Sequence, residues 1–397
     1  MNNGFYNFKI VKYNILCVNL ISCLLLLLCE YAWGNICEQM SSDCDRINNT
    51  RLVDLSDINS ILPLDPISTK QILWRTEEWE YNAWNRGSDD TLGYPSLVKN
   101  IHGKNPDNKY YLFYAQHDSY SGIGCAVAEH IEGPYRKISE IDKSRKDSQV
   151  LQPEKKHIIF NLLVGKRIPF HYSSPCVLWD EDKQKWIMYF HYYKNEWSDG
   201  KGHQKTGVAT CSDLSSYIWE IYTDANGEIL PVFPVTKSRW MNSQSSYHSI
   251  QRLPDGRWLS FLRGTGGEYN EQNEWKQDTT KLGFALSFDS IDGWTYNKDN
   301  PILSQQNTGG SRTGVLRPAF VGNLGNSEFL IVWSESDFYD NKPRIIYNIT
   351  KDFHVFLRDK RGYAGWIPFD GPVSPWRDGA YLYLFTGKVF YKLQLKK

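Results

Sequence analysis

The stretch "GYPSLVKNIHGKNPDNKYYLFYAQHD", residues 93–118, has an apolar segment, a polar turn and an aromatic segment that ends in charge. Strand-forming residues on both sides of a turn rich in Asp, Asn and Gly are typical of a β-hairpin. Four later stretches share this plan: "SPCVLWDEDKQKWIMYFHYY", "HSIQRLPDGRWLSFLRG", "RPAFVGNLGNSEFLIVWSES" and "GPVSPWRDGAYLYLFTG". The chain therefore contains the same hairpin unit five times.

Further strand-like segments follow several of these hairpins, and each unit then supplies about four strands. These segments are "IGCAVAEHIEGPYRKI", "TGVATCSDLSSYIWEIY" and "LGFALSFDSIDGWTYNKDNPIL". Repeats of a four-stranded sheet indicate a propeller. The units are longer than the roughly 40–45 residues of a WD40 blade, so we expect long loops between strands. The sequence predicts an all-β protein with a five-bladed β-propeller over residues 85–397.

The first 34 residues differ in composition from the rest of the chain. Two lysines precede an apolar run from Ile15 to Cys29, and a small-x-small pattern follows at residues 32–34. This pattern predicts a secretory signal peptide over residues 1–34, and the run is shorter than the roughly 20 residues of a membrane span. We expect a secreted or periplasmic protein, with membrane anchoring through this segment as the alternative. Residues 35–84 are expected to be an N-terminal extension. Within it, residues 51–81 could supply a strand that closes the last blade, with a short helix in "STKQILWRTEEWEY" as the alternative.

The amino-acid composition indicates which classes of molecule the protein binds. Basic and acidic residues balance at 45 each, which argues against broad binding of nucleic acid. Aromatic residues make up 15% of the chain, which suits a β core and also suits stacking on the apolar face of a sugar ring. We expect a carbohydrate substrate, no nucleic-acid partner and no membrane contact beyond the N-terminal segment. The sequence does not determine the oligomeric state.

The cysteines do not predict a metal centre. No Cys-x-x-Cys occurs, so a structural zinc site is not expected. No other metal or cofactor is expected, with a structural calcium ion left open. Cys125, Cys176 and Cys211 stand in strand-like runs, and we expect them to be buried thiols. Cys37 and Cys44 could close a disulfide loop in an oxidising compartment.

The five-fold plan resembles the five-bladed β-propeller glycosidases of the arabinanase, levansucrase and invertase superfamily (glycoside hydrolase family 43-like). The segment "YPSLVKN…KYYLFYA" is similar to the first-blade strand pair of that group, and "ATCSDLSSYIWE" is similar to its recurrent outer strands. The resemblance covers residues 85–397 and implies the propeller fold and a sugar substrate.

The usual catalytic carboxylates are absent from the places that the resemblance implies. It implies a base aspartate before the first-blade proline, and Tyr94 stands there. It implies a second aspartate before the second-blade proline, where Ser174 stands, and a glutamic acid near the start of blade three, where residues 245–248 read "SSYH". The resemblance therefore implies a fold and a class of substrate without an active site.

Carboxylates elsewhere near the inner strands are the candidates for hydrolysis, because a glycosidase generally uses one carboxyl as acid and one as base or nucleophile. Glu335 in "WSESDF" is the candidate general acid, since nearby aromatic rings such as Trp333 favour a raised pKa. Asp90, before "TLGYP", and Asp370, in "FDGP", are the other two candidates. Each of these positions is equally typical of a solvated turn or strand end.

Histidines could act as acid–base groups at the channel mouth. His171 in "FHYSSP" and His248 in "SSYHS" are predicted to hold comparable places in blades two and three and to face the same space. A histidine with a pKa near 6.5 can act as a base or bind a hydroxyl group, although many histidines beside strands have only a structural role.

Substrate-binding candidates complete the predicted site. Arg263 stands beside flexible glycines, where it could bind a carboxylate or sulfate with two hydrogen bonds. Arg317 opens blade four and pairs either with the substrate or with Asp370. Tyr94, Tyr247 and Asp118 are the remaining candidates, with a loop-capping role as the alternative for Asp118.

Three functions stay open from the sequence. The leading hypothesis is a glycoside hydrolase in which water attacks the anomeric carbon. A polysaccharide lyase would use His and Tyr with an Arg that neutralises a uronate. A non-catalytic carbohydrate- or protein-binding propeller is the third.

Overall fold

The structure is a computed structural model, and the residues that it describes belong to the compact unit Asn49–Lys397. It describes residues 51–55, 66–81, 92–116, 121–153, 171–193, 204–238, 240–278, 280–302, 315–325, 328–336, 343–351, 353, 355–359, 373–386 and 389–395. Among these residues, no helix has the length and apolar composition needed to cross a bilayer. The predicted signal peptide and the Cys37–Cys44 loop lie outside the described residues.

Strands dominate the described chain. Two strands precede the first blade, β1 Arg51–Leu55 and β2 Ser68–Gln71. Blade one holds β3 Gly93–Lys99, β4 Tyr110–Ala115, β5 Ile123–Ala128, β6 Arg136–Lys137 and β7 Gln149–Leu151. Blade two holds β8 Tyr172–Asp180, β9 Lys185–Tyr193, β10 Gln204–Cys211 and β11 Glu220–Ile221. A short helix, α1 Ile138–Ile141, and 3-10 turns at Glu78–Glu80 and Leu214–Ser216 are the helical pieces in this part of the chain.

The remaining strands repeat the same order. Blade three holds β12 Gln244–Arg252, β13 Trp258–Thr265, the small hairpin β14 Gly267–Tyr269 and β15 Trp275–Gln277, then β16 Lys281–Ser287 and β17 Thr295–Tyr296. Blade four holds β18 Val315–Gly325, β19 Glu328–Ser336, β20 Pro343–Thr350 and β21 Val355–Asp359. Blade five holds β22 Ser374–Asp378, β23 Tyr381–Phe385 and β24 Val389–Gln394.

Five sheets carry these strands as antiparallel meanders, in the orders β3-β4-β5-β6, β8-β9-β10-β11, β12-β13-β16-β17, β18-β19-β20-β21 and β22-β23-β24-β2. This arrangement confirms the predicted all-β, five-bladed propeller. The N-terminal strand β2 is the outermost strand of blade five, where Ser68 pairs with Lys392. Strand β1 adds a fifth strand to blade four and runs parallel to β21.

Apolar side chains pack between consecutive blades, and the pleat of each strand determines which neighbour a residue meets. In β9, Met188 and Phe190 join the cluster shared with blade one. The alternate residues Ile187 and Tyr189 join the cluster shared with blade three. His191 continues the second series, so the alternation places it on the face toward blade three.

A buried polar network joins the segment before blade one to the outside of that blade. Glu80 is 0% exposed and Lys137 is 3% exposed. Lys137 Nζ donates to Glu80 Oε2 at 2.6 Å and to Thr76 Oγ1 at 2.8 Å. Tyr114 Oη donates to Glu80 Oε1 at 2.9 Å, and the Glu77 amide donates to Glu80 Oε2 at 3.0 Å. These residues, which we name the N-terminal clamp, fix the approach of the chain to the propeller.

The predicted thiols are free. Cys125 and Cys211 are buried, and Cys176 is half-buried. Burial raises the pKa of Cys176 to about 11, so the thiol stays protonated and acts as a small apolar group.

Candidate functional site

A one-residue bulge interrupts the innermost strand of blades one, two and three near its first residue. The pairing shifts between Gly93 and Ser96, between Ser173 and Cys176, and between Ser246 and His248. At each bulge a non-glycine residue adopts a left-handed backbone: Tyr94 has φ 55°, Ser174 has φ 53° and Tyr247 has φ 54°. Such conformations are costly for L-residues and cluster at functional sites. Because each of them follows the last residue paired before the bulge, Tyr94, Ser174 and Tyr247 occupy equivalent positions in three successive blades.

This equivalence corrects one prediction. His171 lies three residues before Ser174, whereas His248 lies one residue after Tyr247. The two histidines therefore do not hold comparable places, and they do not face the same space. The sequence misled because blades one and two carry a proline after the left-handed residue, whereas blade three carries His248 there.

Tyrosines from blades one and three meet across blade two. The rings of Tyr94 and Tyr247 are stacked, with centroids 6.0 Å apart and an interplanar angle of 29°. The two blades are not neighbours, so the pair spans the channel beside Ser174. The Arg263 guanidinium carbon lies 3.9 Å from the centroid of the Tyr247 ring, within cation–π range. We name the surface formed by Tyr94, Ser174, Tyr247 and Arg263 the mouth.

Polar side chains hold Arg263 in place. Its Nη2 donates to Gln204 Oε1 at 3.3 Å and to Ser246 Oγ at 3.2 Å. Gln204 opens β10, and Ser246 lies directly opposite Arg263 on β12. The guanidinium is therefore fixed between blades two and three, and its anion-binding role stays a prediction.

Two buried histidines lie behind the mouth. His171 Nε2 and His191 Nε2 are 2.9 Å apart, and the residues are 1% and 0% exposed. One Nε2 must donate while the other accepts, so the two rings carry different tautomers or share one added proton. The His191 ring also meets Tyr247 edge to face at 4.9 Å. His171 is therefore connected to the mouth through His191.

His248 faces Thr206 and Phe233, between blades two and three. Thr206 donates its hydroxyl proton to the Ser245 carbonyl, so it accepts a hydrogen bond from His248 Nε2. Phe233 stacks on the imidazole at 4.6 Å. Burial lowers the pKa of His248 to about 3, so the ring is neutral at ordinary pH. A neutral imidazole can accept a proton or bind a hydroxyl group, so the catalytic role of His248 stays a prediction.

A cavity of about 440 Å³ occupies the central channel beneath the mouth. Its walls come from the innermost strands of blades one, two, three and five, and include Ser174, Tyr247 and His248. Further polar wall residues are Ser96, Ser249 and Ser374. The channel therefore opens onto the same residues that the bulges position.

The predicted carboxylates occupy parts of the chain whose side chains the structure does not describe. Glu335 pairs with Val315 in the backbone of blade four. This is the register position of Arg263 opposite Ser246 in blade three, so the strand pairing sets Glu335 at the level of the mouth. Arg317 lies on β18 opposite Ser334, with its side chain undescribed. Asp90, Asp118 and Asp370 lie outside the described residues.

Two residues of the site were missed from the sequence. His191 is hidden in the aromatic strand "KWIMYFHYY", and Gln204 opens the strand after it. Strand register is the signal that finds His191, because it lies opposite Ser173 just as Arg263 lies opposite Ser246. Within the part of the chain that the structure describes, no group of three His, Cys, Asp or Glu side chains is arranged to hold a metal ion.

Fold and site together define a five-bladed β-propeller with a strained, aromatic and cationic mouth on blades one to three. No family model and no curated protein matches the chain. Among solved structures it is similar to a family 117 glycoside hydrolase of the marine bacterium Zobellia galactanivorans, with 12% identity, a TM-score of 0.49, and 83% of this chain and 90% of that chain covered.

Two further solved structures are similar to this chain. One is the GH93 α-L-arabinofuranosidase of Fusarium graminearum, with 14% identity, a TM-score of 0.47 and 76% of each chain covered. The other is a thermostable family-43 glycoside hydrolase, with 14% identity, a TM-score of 0.43, and 70% of this chain and 77% of that chain covered. At such low scores the likeness says nothing about activity, and the architecture rests on the strand pairing of this chain.

Proposed function

We propose that this protein is a secreted carbohydrate-cleaving enzyme, in the first instance a glycoside hydrolase, with its active site at the mouth. The observation that carries the proposal is the convergence of Tyr94, Ser174 and Tyr247, three strained equivalents, on one end of the channel. The half-buried ring of Tyr94 offers an aromatic face for a sugar ring, and Arg263 beside Tyr247 offers a directional donor.

Hydrolysis in this site needs an acid and a base. Glu335 stays the predicted general acid, because its backbone register sets it at the level of the mouth. Asp90 and Asp370 stay predicted partners. The His171–His191 pair is a second source of a proton, since the pair can hold one extra proton between its Nε2 atoms.

The lyase remains the second candidate, because a specific observation favours it. Tyr247, Arg263 and the His171–His191 pair are connected at the mouth. An arginine that neutralises a uronate carboxylate makes the neighbouring C–H more acidic, and Tyr or His can then accept that proton. Such a site requires an anionic sugar, whereas the hydrolase does not.

The test uses the protein as the host secretes it, on a panel of neutral, uronic-acid and sulfated glycans. Reducing ends and unsaturated-uronide absorbance are followed together, and the mature N-terminus is sequenced to test the signal peptide. Reducing ends alone support the hydrolase, and both signals support the lyase. Neither signal, with folded protein, moves the carbohydrate-binding propeller to first place.

A matched pair of variants tests the location of the site. We expect Arg263→Met to lower kcat/KM on the best substrate by roughly 100-fold or more, because a charge-assisted contact is lost. His130→Gln changes an exposed residue in blade one and serves as the control. Equal activity of both variants would place the active site elsewhere.

A further inference from the structure

Tyr247 differs from the other mouth residues because charged and titratable groups surround its ring. The Arg263 guanidinium lies 3.9 Å from the ring centroid, from β13. The His191 imidazole from β9 meets the ring edge to face at 4.9 Å, and His171 lies behind it. Tyr94 from β3 stacks on it at 6.0 Å. Side chains from blades one, two and three therefore all contact the phenol ring of Tyr247.

The backbone adds a second, independent observation. Tyr247 is held at φ 54° at the bulge of β12, although a bulky residue rarely adopts this conformation. Backbone strain of this kind persists where the surrounding structure requires one side-chain direction. That direction brings the ring over the channel cavity, which Tyr247 lines.

Two effects act on the phenol in opposite directions. Burial disfavours the phenolate, and Tyr247 is only 4% exposed. Burial raises the pKa of Tyr296 in β17, and burial together with nearby Cys176, Asp180 and Asp289 raises that of Tyr189 in β9. A cation at van der Waals distance favours the phenolate, and Arg263 supplies one at Tyr247.

We propose that the Tyr247 hydroxyl is the proton-transfer group of the mouth and that Arg263 stabilises its phenolate form. The inference rests on the proposed function and assigns its base. In hydrolysis the phenolate accepts a proton from water as the water oxygen bonds to the anomeric carbon. The glycosidic C–O bond breaks, its electron pair stays on the leaving oxygen, and that oxygen takes a proton from the general acid, predicted to be Glu335.

The same group serves elimination without an added reagent. The phenolate then takes the proton from the carbon beside a uronate carboxylate, a C=C bond forms, and the C–O bond to the leaving sugar breaks. The leaving oxygen again takes a proton from the acid. In both reactions the phenol afterwards loses its proton to solvent and the general acid takes one proton from solvent, so both groups return to their starting states.

The first test needs no substrate. Tyrosinate absorbance is followed from neutral to alkaline pH in the wild type and in Tyr247→Phe, which removes one hydroxyl and keeps the ring. Tyr296→Phe is the control, because it removes another phenol of blade three, which is half-buried and whose Oη donates to the Pro234 carbonyl. We expect one tyrosine of the wild type and of the control to ionise below the ordinary value of about 10.

Tyr247→Phe should lack this early ionisation, and Arg263→Met should shift it to higher pH. Circular dichroism of each variant verifies that the propeller is folded. An early ionisation that survives Tyr247→Phe would overturn the inference. The absence of any early ionisation in the wild type would overturn it as well.

The second test uses the best substrate from the glycan panel. We expect Tyr247→Phe to lower kcat by roughly 100- to 10,000-fold and to lose the rise of rate with pH, while Tyr296→Phe keeps both. If Tyr247→Phe cleaves at the wild-type rate, the inference is wrong and the proposed function stands. If the wild type cleaves nothing yet shows the early ionisation that Tyr247→Phe abolishes, the proposed function is wrong, and with it the proton-transfer role of Tyr247. Only the stabilisation of its phenolate by Arg263 then stands.

Discussion

The N-terminal clamp and the mouth are both polar clusters in an aromatic propeller, but they are built in opposite ways. In the clamp, Glu80 receives hydrogen bonds from a lysine, a tyrosine and two backbone amides. At the mouth, three innermost strands hold non-glycine residues in left-handed conformations. Satisfied geometry is typical of a structural role, and retained strain is typical of a functional one.

The clamp provides the largest expected effect. Lys137→Met leaves Glu80 as an uncompensated buried charge, and breaking a buried ion pair costs about 3–5 kcal/mol. Urea unfolding monitored by tryptophan fluorescence should show this loss in the free energy of unfolding.

Two controls separate charge from packing in that measurement. The double variant Lys137→Met, Glu80→Gln should regain part of the loss, because no buried charge remains. Lys276→Met removes the exposed pair with Glu274 and should change stability far less, because exposed ion pairs are screened by solvent. A clamp variant that loses no more than Lys276→Met would show that the clamp is not structural.

His248 predicts how the region beside the mouth responds to acid. Its folded pKa of about 3 lies below the ordinary value of about 6.5, so the unfolded chain binds the extra proton first. Stability from this group is complete above about pH 6.5 and falls by about 1.4 kcal/mol per pH unit on acidification toward pH 3.

The measurement compares the slope of unfolding free energy against pH in two proteins, and not their absolute stabilities. Unfolding free energies of the wild type and of His248→Gln are taken between pH 7 and pH 4.5, and Gln keeps a donor for Thr206. We expect the variant to lose less stability per pH unit. Parallel slopes would mean that His248 is not buried as a neutral ring.

Strand pattern and register explain what the sequence could predict. The five hairpins are local, so alternation and turn residues were enough to predict the blades. The strand at Ser68–Gln71 was expected only as part of a closing segment, because its partner Lys392 is remote in sequence. The bulge that equates Tyr247 with Ser174 depends on pairing across two strands, which no single segment encodes.

The same reason explains the errors at the site. His171 was found near a proline, whereas its partner His191 lies inside an aromatic strand and is recognised only from the register. The sequence suggests that His248 and His171 are equivalent, because His171 precedes "YSS" and His248 follows "SSY" near the start of an inner strand. The actual neighbours of His248, Thr206 and Phe233, come from blade two and from the loop after it.

Breaking the His171–His191 pair should lower the free energy of unfolding by less than breaking the N-terminal clamp does. His191→Leu leaves His171 Nε2 without its buried partner, and an unsatisfied buried polar atom costs about 1–3 kcal/mol. A double-mutant cycle with His171→Leu should give a coupling of about 0.5–3 kcal/mol in urea unfolding. Additive losses would contradict the hydrogen bond and would separate the pair from the mouth.

Substitution of Ser174 should change the free energy of unfolding least, and it should raise this free energy, whereas the other substitutions lower it. Its φ of 53° suits glycine, and its Oγ has no hydrogen-bond partner among the described atoms. Ser174→Gly removes both the strain and the buried hydroxyl, so we expect the free energy of unfolding to rise by about 1 kcal/mol. Ser173→Gly changes the neighbouring buried serine, which has an ordinary backbone, and should lower stability instead.

If Ser174→Gly stabilises the fold and reduces glycan cleavage, strain at the mouth serves function at the expense of stability, in contrast to the clamp. If it lowers stability as Ser173→Gly does, the left-handed backbone is not strained, and the comparison between the two regions fails.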